Sequence, residues 1–209
     1  MGQWTERVVP HLVERSLSTA DVMELRATVC AGLAGRVLEL GFGSGLNAGA
    51  YPTAVTRVDA VEPSDLGWRM SEVRRRGAGV PIVRVGLDGQ RLEAEGSSYD
   101  AVLSTFTLCT IPDVAAALAE VRRVLRPGGA FHFLEHGRSP DPTVARWQRR
   151  LDPLERRIAG GCRLSRDMPA LVAESGLEVA VVSAAYLPGP GVGQPWTYVF
   201  SGHAVGRPA

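Results

Sequence analysis

Three glycines spaced two residues apart follow directly on a short apolar run, and this pattern constrains the fold more than any other part of the sequence. The run covers residues 36–40, and the glycines are Gly41, Gly43 and Gly45. Such a run predicts a buried strand, and the glycines allow a turn of positive φ in which a ligand can lie against bare backbone. A helix is expected to begin at about Asn47, so that its N-terminus faces the same ligand. The stretch therefore predicts one strand–turn–helix unit of an α/β fold.

The rest of the chain alternates short apolar runs with amphipathic stretches, which is typical of an α/β fold with a mostly parallel sheet. Further strands are predicted at 55–61, 82–85, 99–105, 130–135, 177–185 and 196–204. Helices are predicted at 64–76 and 114–125; Asp113 is placed to cap the second helix, and the Pro-Gly-Gly at 127–129 is expected to end it. We predict a single domain over 1–209, with a helical cap at 1–31 and a helical insertion at 137–170 that covers the substrate site.

The charged residues exclude several classes of protein. All 23 basic residues are arginine, so the chain has neither a Schiff-base lysine nor a phosphate-binding loop that ends in Gly-Lys-Ser/Thr. With 22 acidic residues the net charge is +1, which argues against nucleic acid as the main partner. A small-molecule substrate is the expected partner, and the sequence does not predict an oligomeric state.

The cysteines and the apolar runs indicate the cellular compartment. Three cysteines lie far apart without a CxxC pair, which predicts reduced thiols rather than a disulfide framework or a four-cysteine zinc site. No run of 18 apolar residues and no signal-peptide pattern is found, so a cytoplasmic protein without a membrane span is expected.

Two acidic residues beside the glycine turn distinguish between cofactors. A nicotinamide-binding turn reads G-x-G-x-x-G and would place its third small residue at position 46, where this chain has Leu46. Glu39 lies two residues before the first glycine, where a carboxylate suits a cation better than a pyrophosphate, and S-adenosylmethionine carries a sulfonium and an ammonium. Glu62 ends the second strand, where an acid can hydrogen-bond both hydroxyls of a ribose. These positions favour S-adenosylmethionine over a dinucleotide.

Two aspartates near this edge have less specific interpretations. Asp88 follows the third strand and is a candidate to accept the adenine amino group, although a surface turn explains it equally well. Asp59 lies three residues before Glu62, and we expect it to be structural.

Four segments, 38–47, 58–64, 99–111 and 120–133, together resemble the class I, S-adenosylmethionine-dependent methyltransferases. The stretch at 120–129 is similar to the helix and turn before the fifth strand in the small-molecule branch that includes the ubiquinone-type enzymes. The resemblance implies a Rossmann-like, seven-stranded, mostly parallel sheet with an antiparallel last strand and helices on both faces. It implies that a set of residues lines the cofactor: Glu39, Gly41, Gly43, Gly45, Glu62, Asp88 and Thr105. Their neighbours are assigned to the same site: Phe42, Asn47, Pro63, Leu87, Gly89 and Phe106.

A narrower resemblance is to the alkyl-thiol methyltransferase branch of the methyltransferase-like proteins. It is carried by residues 105–109, 135–136, 147–148, 152–153 and 161–167. Those enzymes transfer methyl to hydrogen sulfide and small aliphatic thiols, and their animal members begin with a membrane-anchoring helix that is not predicted here. The resemblance implies S-methylation of a small thiol. Methylation of an oxygen or carbon atom of a phenol or quinol is the alternative.

Methyl transfer from a sulfonium is an in-line displacement that depends mainly on alignment in a dry site. No metal is expected if the nucleophile is a thiolate. His136, at the end of the fifth strand, is the candidate base, and a hydrogen bond to a backbone carbonyl is its alternative role. His132 on the same strand is expected to pack in the core.

Four residues are candidates to line the substrate pocket: His11, Cys109, Trp147 and Cys162. Free cysteines are more often small buried apolar residues, and we expect that role for both cysteines. Trp147 belongs to an apolar stripe that is predicted to face the core or cover the pocket, and a basic surface on a membrane is the alternative. Pro153 is expected to divide this stripe into two helices, the second capped by Asp152.

Two other function classes stay open. A nicotinamide-dependent oxidoreductase is disfavoured by Leu46 and Glu39. A non-catalytic binding protein with a nucleotide-binding fold is compatible with the sequence, because methyl transfer requires few obligatory side chains.

Overall fold

The computed structural model describes residues 3–206, and its centre is one seven-stranded sheet. The strands are β1 (Gly35–Leu40), β2 (Val55–Val61), β3 (Ile82–Gly86), β4 (Tyr99–Thr105), β5 (Leu125–His136), β6 (Leu177–Tyr186) and β7 (Tyr198–Gly206). Their order is β3-β2-β1-β4-β5-β7-β6, and β7 runs antiparallel to both of its neighbours while the others are parallel. The predicted Rossmann-like sheet is confirmed.

Helices cover both faces of the sheet. They are α1 (Gln3–Arg7), α2 (Val9–Leu17), α3 (Ala20–Cys30), α4 (Asp65–Met70), α5 (Glu72–Gly77), α6 (Val114–Val124), α7 (Pro142–Ile158), α8 (Met168–Glu174) and α9 (Gln194–Thr197). Side chains of β5 alternate between the faces, so Phe131 and Phe133 pack with α6 and α8, whereas Leu134 packs with α3. The first three helices occupy most of the predicted cap, and α7 lies in the predicted insertion. Residues 1, 2 and 207–209 of the predicted domain lie outside the described residues.

The prediction that a helix begins at about Asn47 is wrong. Residues 46–50 form consecutive turns instead. The amide of Asn47 and the hydroxyl of Tyr51 both donate to Glu39, which holds the segment against the end of β1. Gly49 and Pro52 disfavour a helix here as well.

Other element boundaries differ from the prediction as well. The 64–76 helix divides at Ser71 into α4 and α5, and the Ser64 hydroxyl caps α4 by accepting from the Gly67 amide at 3.0 Å. β5 begins at Leu125, so the Pro-Gly-Gly stretch lies inside an irregular first part of the strand rather than before it. β7 begins at Tyr198 because the preceding four residues form α9.

The prediction that Pro153 divides the insertion into two helices is wrong. α7 is continuous, and the Asp152 carboxylate accepts from the Leu164 amide at 2.7 Å instead of capping a helix. Each half of α7 makes a hydrogen bond to the segment at 195–196. The Gln148 amide donates to the Pro195 carbonyl, and Glu155 accepts from the Trp196 indole at 2.9 Å.

The apolar stripe of α7 faces the core only in part: Val144 is buried and Leu151 packs against the core, as expected. Trp147 and Leu154 are each 51% exposed, because Gln148 and Glu155 take the buried positions to make the hydrogen bonds just described. Between residues 3 and 206, no helix has the length and apolar composition that crossing a bilayer requires.

Candidate functional site

The glycine turn lies at the carboxyl edge of the sheet, where ligands bind in open α/β folds. Gly41, Gly43 and Gly45 have φ of 69°, 57° and 79°. A Cβ on Gly41 would lie 2.0 Å from the Thr107 hydroxyl oxygen, so this residue must be glycine for space as well as for conformation. At Gly43, by contrast, the nearest atom is the Gly41 carbonyl oxygen at 3.9 Å. The turn is therefore closed against the loop after β4 and open at its centre.

Glu62 joins the end of β2 to this turn. Its two carboxylate oxygens accept from the amides of Gly43 and Ser64, each at 2.6 Å. The side chain is 5% exposed, and burial raises its pKa although these amide bonds and Arg84 act in the opposite direction. An acid at this strand end was predicted to meet a ribose, and the structure places its carboxylate beside the glycine backbone.

Glu39 is buried beneath the turn at the end of β1. It accepts from the Asn47 amide at 2.8 Å and from the Tyr51 hydroxyl. Burial raises its pKa to about 7, and the hydrogen bonds from Tyr51 and Asn47 only partly offset this effect. A nearby cation stabilises an ionised carboxylate, so this position suits a positively charged ligand group.

Arg26 of α3 is a site residue that sequence reasoning missed. Its guanidinium donates to the Asn47 amide oxygen at 2.8 Å and to the Thr105 hydroxyl at 2.7 Å, and it lies 5.3 Å from the centre of the Phe106 ring. It is 4% exposed, and burial lowers its pKa. Its spacing from two buried valines, Val22 and Val29, is the signal that could have found it, because an arginine at that spacing shares their inward face.

The predicted adenine contacts lie at the neighbouring strand ends. The Asp88 carboxylate is exposed and accepts from the backbone and side-chain amides of Gln90, both at 2.9 Å, which is the surface turn given as its alternative role. Leu87 and Pro63 are also exposed, and Gly89 approaches Ile111. These residues border the same edge of the sheet as the glycine turn.

A second group of side chains lies beside Phe106 at this edge. The ligand atoms of Cys109, His136 and Cys162 are all within 4.8 Å of one another, and the His136 ring is 4.8 Å from the Phe106 ring. Both cysteines are buried, as expected, but the structure brings them together with the predicted base. We call these three residues the thiol–imidazole cluster.

The two thiols of the cluster differ in their electrostatics. The neighbouring Cys109 thiol and the adjacent His136 lower the pKa of Cys162, although burial acts against them. The neighbouring Cys162 thiol and burial raise the pKa of Cys109, and Glu135 beside it adds to the effect. Cys162 is therefore the thiol that ionises more readily.

Glu135 fixes the loop that carries Cys109. Its fully buried carboxylate accepts from three successive amides, those of Thr107, Leu108 and Cys109, at 3.0, 3.0 and 3.2 Å, and from the Ser104 hydroxyl at 2.7 Å. Phe106, at the start of this loop, has a positive φ of 53°, which is unusual for an aromatic residue.

The remaining histidines and the aromatic candidate lie apart from the cluster. A ring nitrogen of His132 is 3.0 Å from the Val29 carbonyl oxygen, and the ring stacks on His203, so His132 is a core residue as expected. His11 is exposed on α2, and Trp147 lies under Arg150 on the outer side of α7.

Comparison with known proteins places the chain in a family. Residues 38–153 match the family model described as "Methyltransferase domain". The human protein "Thiol S-methyltransferase TMT1B" is 38% identical over 65% of this chain and 58% of its own length. "Demethylmenaquinone methyltransferase" of Clavibacter sepedonicus is 36% identical over 53% of this chain and 45% of its own length. The chain thus spans about half the length of the curated relatives that it matches.

Solved structures agree with this placement at the level of the fold. A methyltransferase from Thermotoga maritima, described as S-adenosylmethionine-dependent, superposes with a TM-score of 0.70 at 22% identity over 99% of this chain and 100% of its own. The glycine turn, the strand order and the matched residues lead to one conclusion: the chain belongs to the methyltransferase domain family and has the fold of the class I, S-adenosylmethionine-dependent methyltransferases.

Proposed function

We propose that the protein transfers a methyl group from S-adenosylmethionine to the sulfur of a small thiol. The observation that carries the proposal is the juxtaposition, at one sheet edge, of the glycine turn with its two buried acids and the thiol–imidazole cluster. Relatives named as thiol S-methyltransferases, at 36–38% identity, support the choice of acceptor.

The residues at the turn fit S-adenosylmethionine on two counts. Gly43 leaves open space where a side chain would otherwise stand, so a ligand can approach the backbone. The hydrogen-bond partners of the buried Glu39, Asn47 and Tyr51, are uncharged, and Arg26 offsets only part of the effect of burial, so a cationic ligand would stabilise its charge further.

Each acid has a separate task in this proposal. Glu39 orients the positively charged methionine part, and Glu62 exchanges its bonds to backbone amides for bonds to the ribose hydroxyls. Asp88 is proposed to contact the adenine amino group from the adjoining strand end. The bound cofactor would supply a methyl group on a sulfonium, which is electrophilic without further activation.

The protein's own residues would prepare the acceptor. His136 Nδ1 is buried and has no hydrogen-bond partner among the described residues, so it is placed to take the proton of a thiol. The acceptor sulfur then uses its freed electron pair for the new bond to carbon, and the pair of the broken bond stays on the former sulfonium sulfur. Phe106 and the buried cysteines exclude water from this step.

Calorimetric titration with S-adenosylmethionine and its demethylated product tests the cofactor. Glu62→Ala should weaken binding by roughly 30-fold or more, since two charge-assisted hydrogen bonds are lost. Asp59→Ala is the comparison, because its buried carboxylate accepts only from protein groups, Arg36, Arg57 and Tyr99. Equal effects of the two variants on affinity would reject the ribose assignment, and no heat with either ligand would reject the cofactor.

The acceptor is tested by mass spectrometry with a panel of small thiols, phenols and quinols. Transfer to thiols is expected to be fastest. Faster transfer to a phenol or quinol would favour the alternative that the demethylmenaquinone methyltransferase relative suggests. Cofactor binding without transfer to any acceptor would favour a binding protein.

A further inference from the structure

The topology brings together two thiols and an imidazole that lie in three separate parts of the sequence. Cys109 is in the loop after β4, His136 ends β5, and Cys162 lies between α7 and α8. Within residues 3–206, no other group of three or more histidine, cysteine or acidic side chains has its ligand atoms close enough together to hold a metal ion. We propose that the thiol–imidazole cluster binds a zinc-like divalent cation, and that its open coordination position takes the sulfur of the thiol acceptor.

The donor set suits such a cation. Two thiolates and one imidazole are ligands that zinc prefers, and adjacent ligand atoms around a tetrahedral zinc lie about 3.7 Å apart. The three donor atoms here lie within 4.8 Å of one another, so side-chain movements that shift these atoms by about 1 Å would bring them to that spacing. Three protein ligands leave one position open, which is the arrangement of catalytic rather than structural zinc sites.

The backbone holds the two cysteines near each other without a metal. Glu135 fixes the Cys109 amide, as described above. The Arg163 amide donates to the Cys109 carbonyl at 2.9 Å, which joins the two cysteine loops. A site whose ligands are positioned in advance loses less conformational freedom on binding the ion. Glu135 itself is not a ligand in this proposal, because four protein groups already donate to its oxygens.

One feature of the cluster is not explained by packing alone. Nδ1 of His136 is buried without a hydrogen-bond partner among the described residues, whereas the core histidine, His132, has the Val29 carbonyl next to its corresponding nitrogen. An unpaired buried nitrogen costs free energy, and coordination to a cation would remove that cost.

The position of the cluster places a bound ion beside the proposed methyl-transfer site. The binding of the acceptor sulfur to this ion rests on the proposed function. The cluster is next to Phe106, and Phe106 follows Thr105, whose hydroxyl contacts Asn47 of the glycine segment. The incoming thiol would release its proton to solvent water and bind the ion as a thiolate. Its sulfur would keep the electron pair that forms the bond to the methyl carbon. His136 would then be a ligand, and this role replaces its role as a base.

The first experiment uses the full chain, reduced and stripped with a chelator, and titrates it with Co²⁺ followed by competing Zn²⁺. One equivalent should produce a thiolate-to-cobalt charge-transfer band that zinc abolishes. Cys109→Ser and Cys162→Ser should lose the band, and His136→Gln should weaken binding by more than about 10-fold. Cys30→Ser is the matched control, since Cys30 is a buried free cysteine on α3, outside the cluster. The charge-transfer band of this variant should equal that of the wild-type protein.

Circular dichroism checks that each variant is folded, and the partly exposed His136 gives a variant that does not open a cavity in the core. Absence of the band in the wild-type chain would overturn the site. A band that persists at equal strength in folded His136→Gln and Cys162→Ser would show metal bound elsewhere, with the same consequence.

The second experiment adds ethanethiol to the cobalt-loaded protein. Coordination of a third sulfur should intensify and shift the charge-transfer band, and an unchanged band would overturn the acceptor role of the ion. Thiol methylation is then measured with and without bound zinc. Full activity without metal would reject the acceptor role of the ion and leave the proposed function intact. Metal binding without methylation of any thiol would reject the proposed function and the acceptor role but leave the metal site.

Discussion

The Arg26 guanidinium donates to the Thr105 hydroxyl at 2.7 Å and so ties a helix from the N-terminal part of the chain to the end of β4. The same nitrogen donates to the Asn47 amide oxygen, and Asn47 in turn donates to Glu39. A chain of buried polar contacts thus joins α3, two strand ends and the glycine segment. Helix α3 is therefore joined to the sheet edge that carries the candidate site.

Arg26→Met should lower the free energy of unfolding by about 1–3 kcal/mol, because the buried Asn47 amide oxygen loses its donor and the Thr105 hydroxyl keeps only its bond from the Asn47 amide. Urea denaturation measures the change. Arg15→Met on α2 is the control, since Arg15 is exposed and its substitution should change stability by less than about 0.5 kcal/mol. Equal losses in the two variants would contradict the role assigned to Arg26.

Glu39 should make the protein less stable as pH rises. Its folded-state pKa of about 7 lies above the ordinary value of 4.5, so the unfolded chain loses this proton first. The loss of unfolding free energy that comes from ionising the buried Glu39 carboxylate is absent below pH 4.5. It grows between pH 4.5 and 7 and then levels off at roughly 3 kcal/mol. Glu39→Gln removes the titrating group. The difference in unfolding free energy between variant and wild type should therefore shift in favour of the variant over this window, and a constant difference would show that Glu39 stays ionised.

The same titration predicts how cofactor affinity responds to pH. A cation bound beside Glu39 requires the ionised carboxylate, so affinity for S-adenosylmethionine should rise by about 10-fold between pH 6 and pH 8. The rise should be absent in Glu39→Gln, whose affinity should be low at both values. Calorimetric titration of both proteins measures this, and parallel profiles would assign the pH dependence to another group.

The strands were predictable because their signal is local. Buried parallel strands are apolar on both faces, and for this reason the runs at 55–61 and 99–105 gave the bounds of β2 and β4 without error. The segment after the glycines and the path through Pro153 were mispredicted, because tertiary hydrogen bonds to Glu39 and Asp152 decide those conformations. A sequence window contains no record of such partners.

The residues of the candidate site also fall into those that the sequence predicts and those that only the fold brings together. Glu39 and Glu62 are found from the sequence because their spacing from the glycines sets their place at the strand ends. Arg26 and the thiol–imidazole cluster reach the edge only through the order of the strands and the loops between them. Each cysteine alone is indistinguishable from an ordinary core residue, and only the fold shows that two of them meet an unpaired histidine nitrogen.

Comparing Gly41→Ala with Gly79→Ala separates the two reasons for which a position requires glycine, a positive φ and a lack of space for a Cβ. The two residues have nearly equal φ, 69° and 67°, but a Cβ at Gly41 would overlap Thr107 at 2.0 Å, whereas no atom lies within 4 Å at Gly79. Gly79→Ala should cost about 1–2 kcal/mol, from the left-handed conformation alone. Gly41→Ala should cost at least about 2 kcal/mol more and should also weaken cofactor binding. Thermal and urea unfolding measure the difference, and equal costs would mean that the turn can move away from Thr107.

Glu135→Gln should loosen the loop that positions Cys109. One oxygen of the buried carboxylate accepts from Ser104, Thr107 and Leu108, and the other accepts from the Cys109 amide. An amide side chain keeps the shape but offers only one oxygen, so an N–H group of glutamine must face a backbone N–H. The variant should lose about 1–3 kcal/mol of stability.

The measurement that identifies the cause is amide hydrogen exchange, which should become faster at residues 107–109 while β5 stays protected. Glu178→Gln, at an exposed position on β6, is the control and should change neither stability nor exchange. Cys109 should also react faster with a thiol reagent in Glu135→Gln, since its loop opens more often. Unchanged exchange at 107–109 would mean that the loop is held by its packing against Cys162 and not by the carboxylate. In that case the cluster would be positioned by its own apolar contacts, and Glu135 would affect only the stability of the sheet.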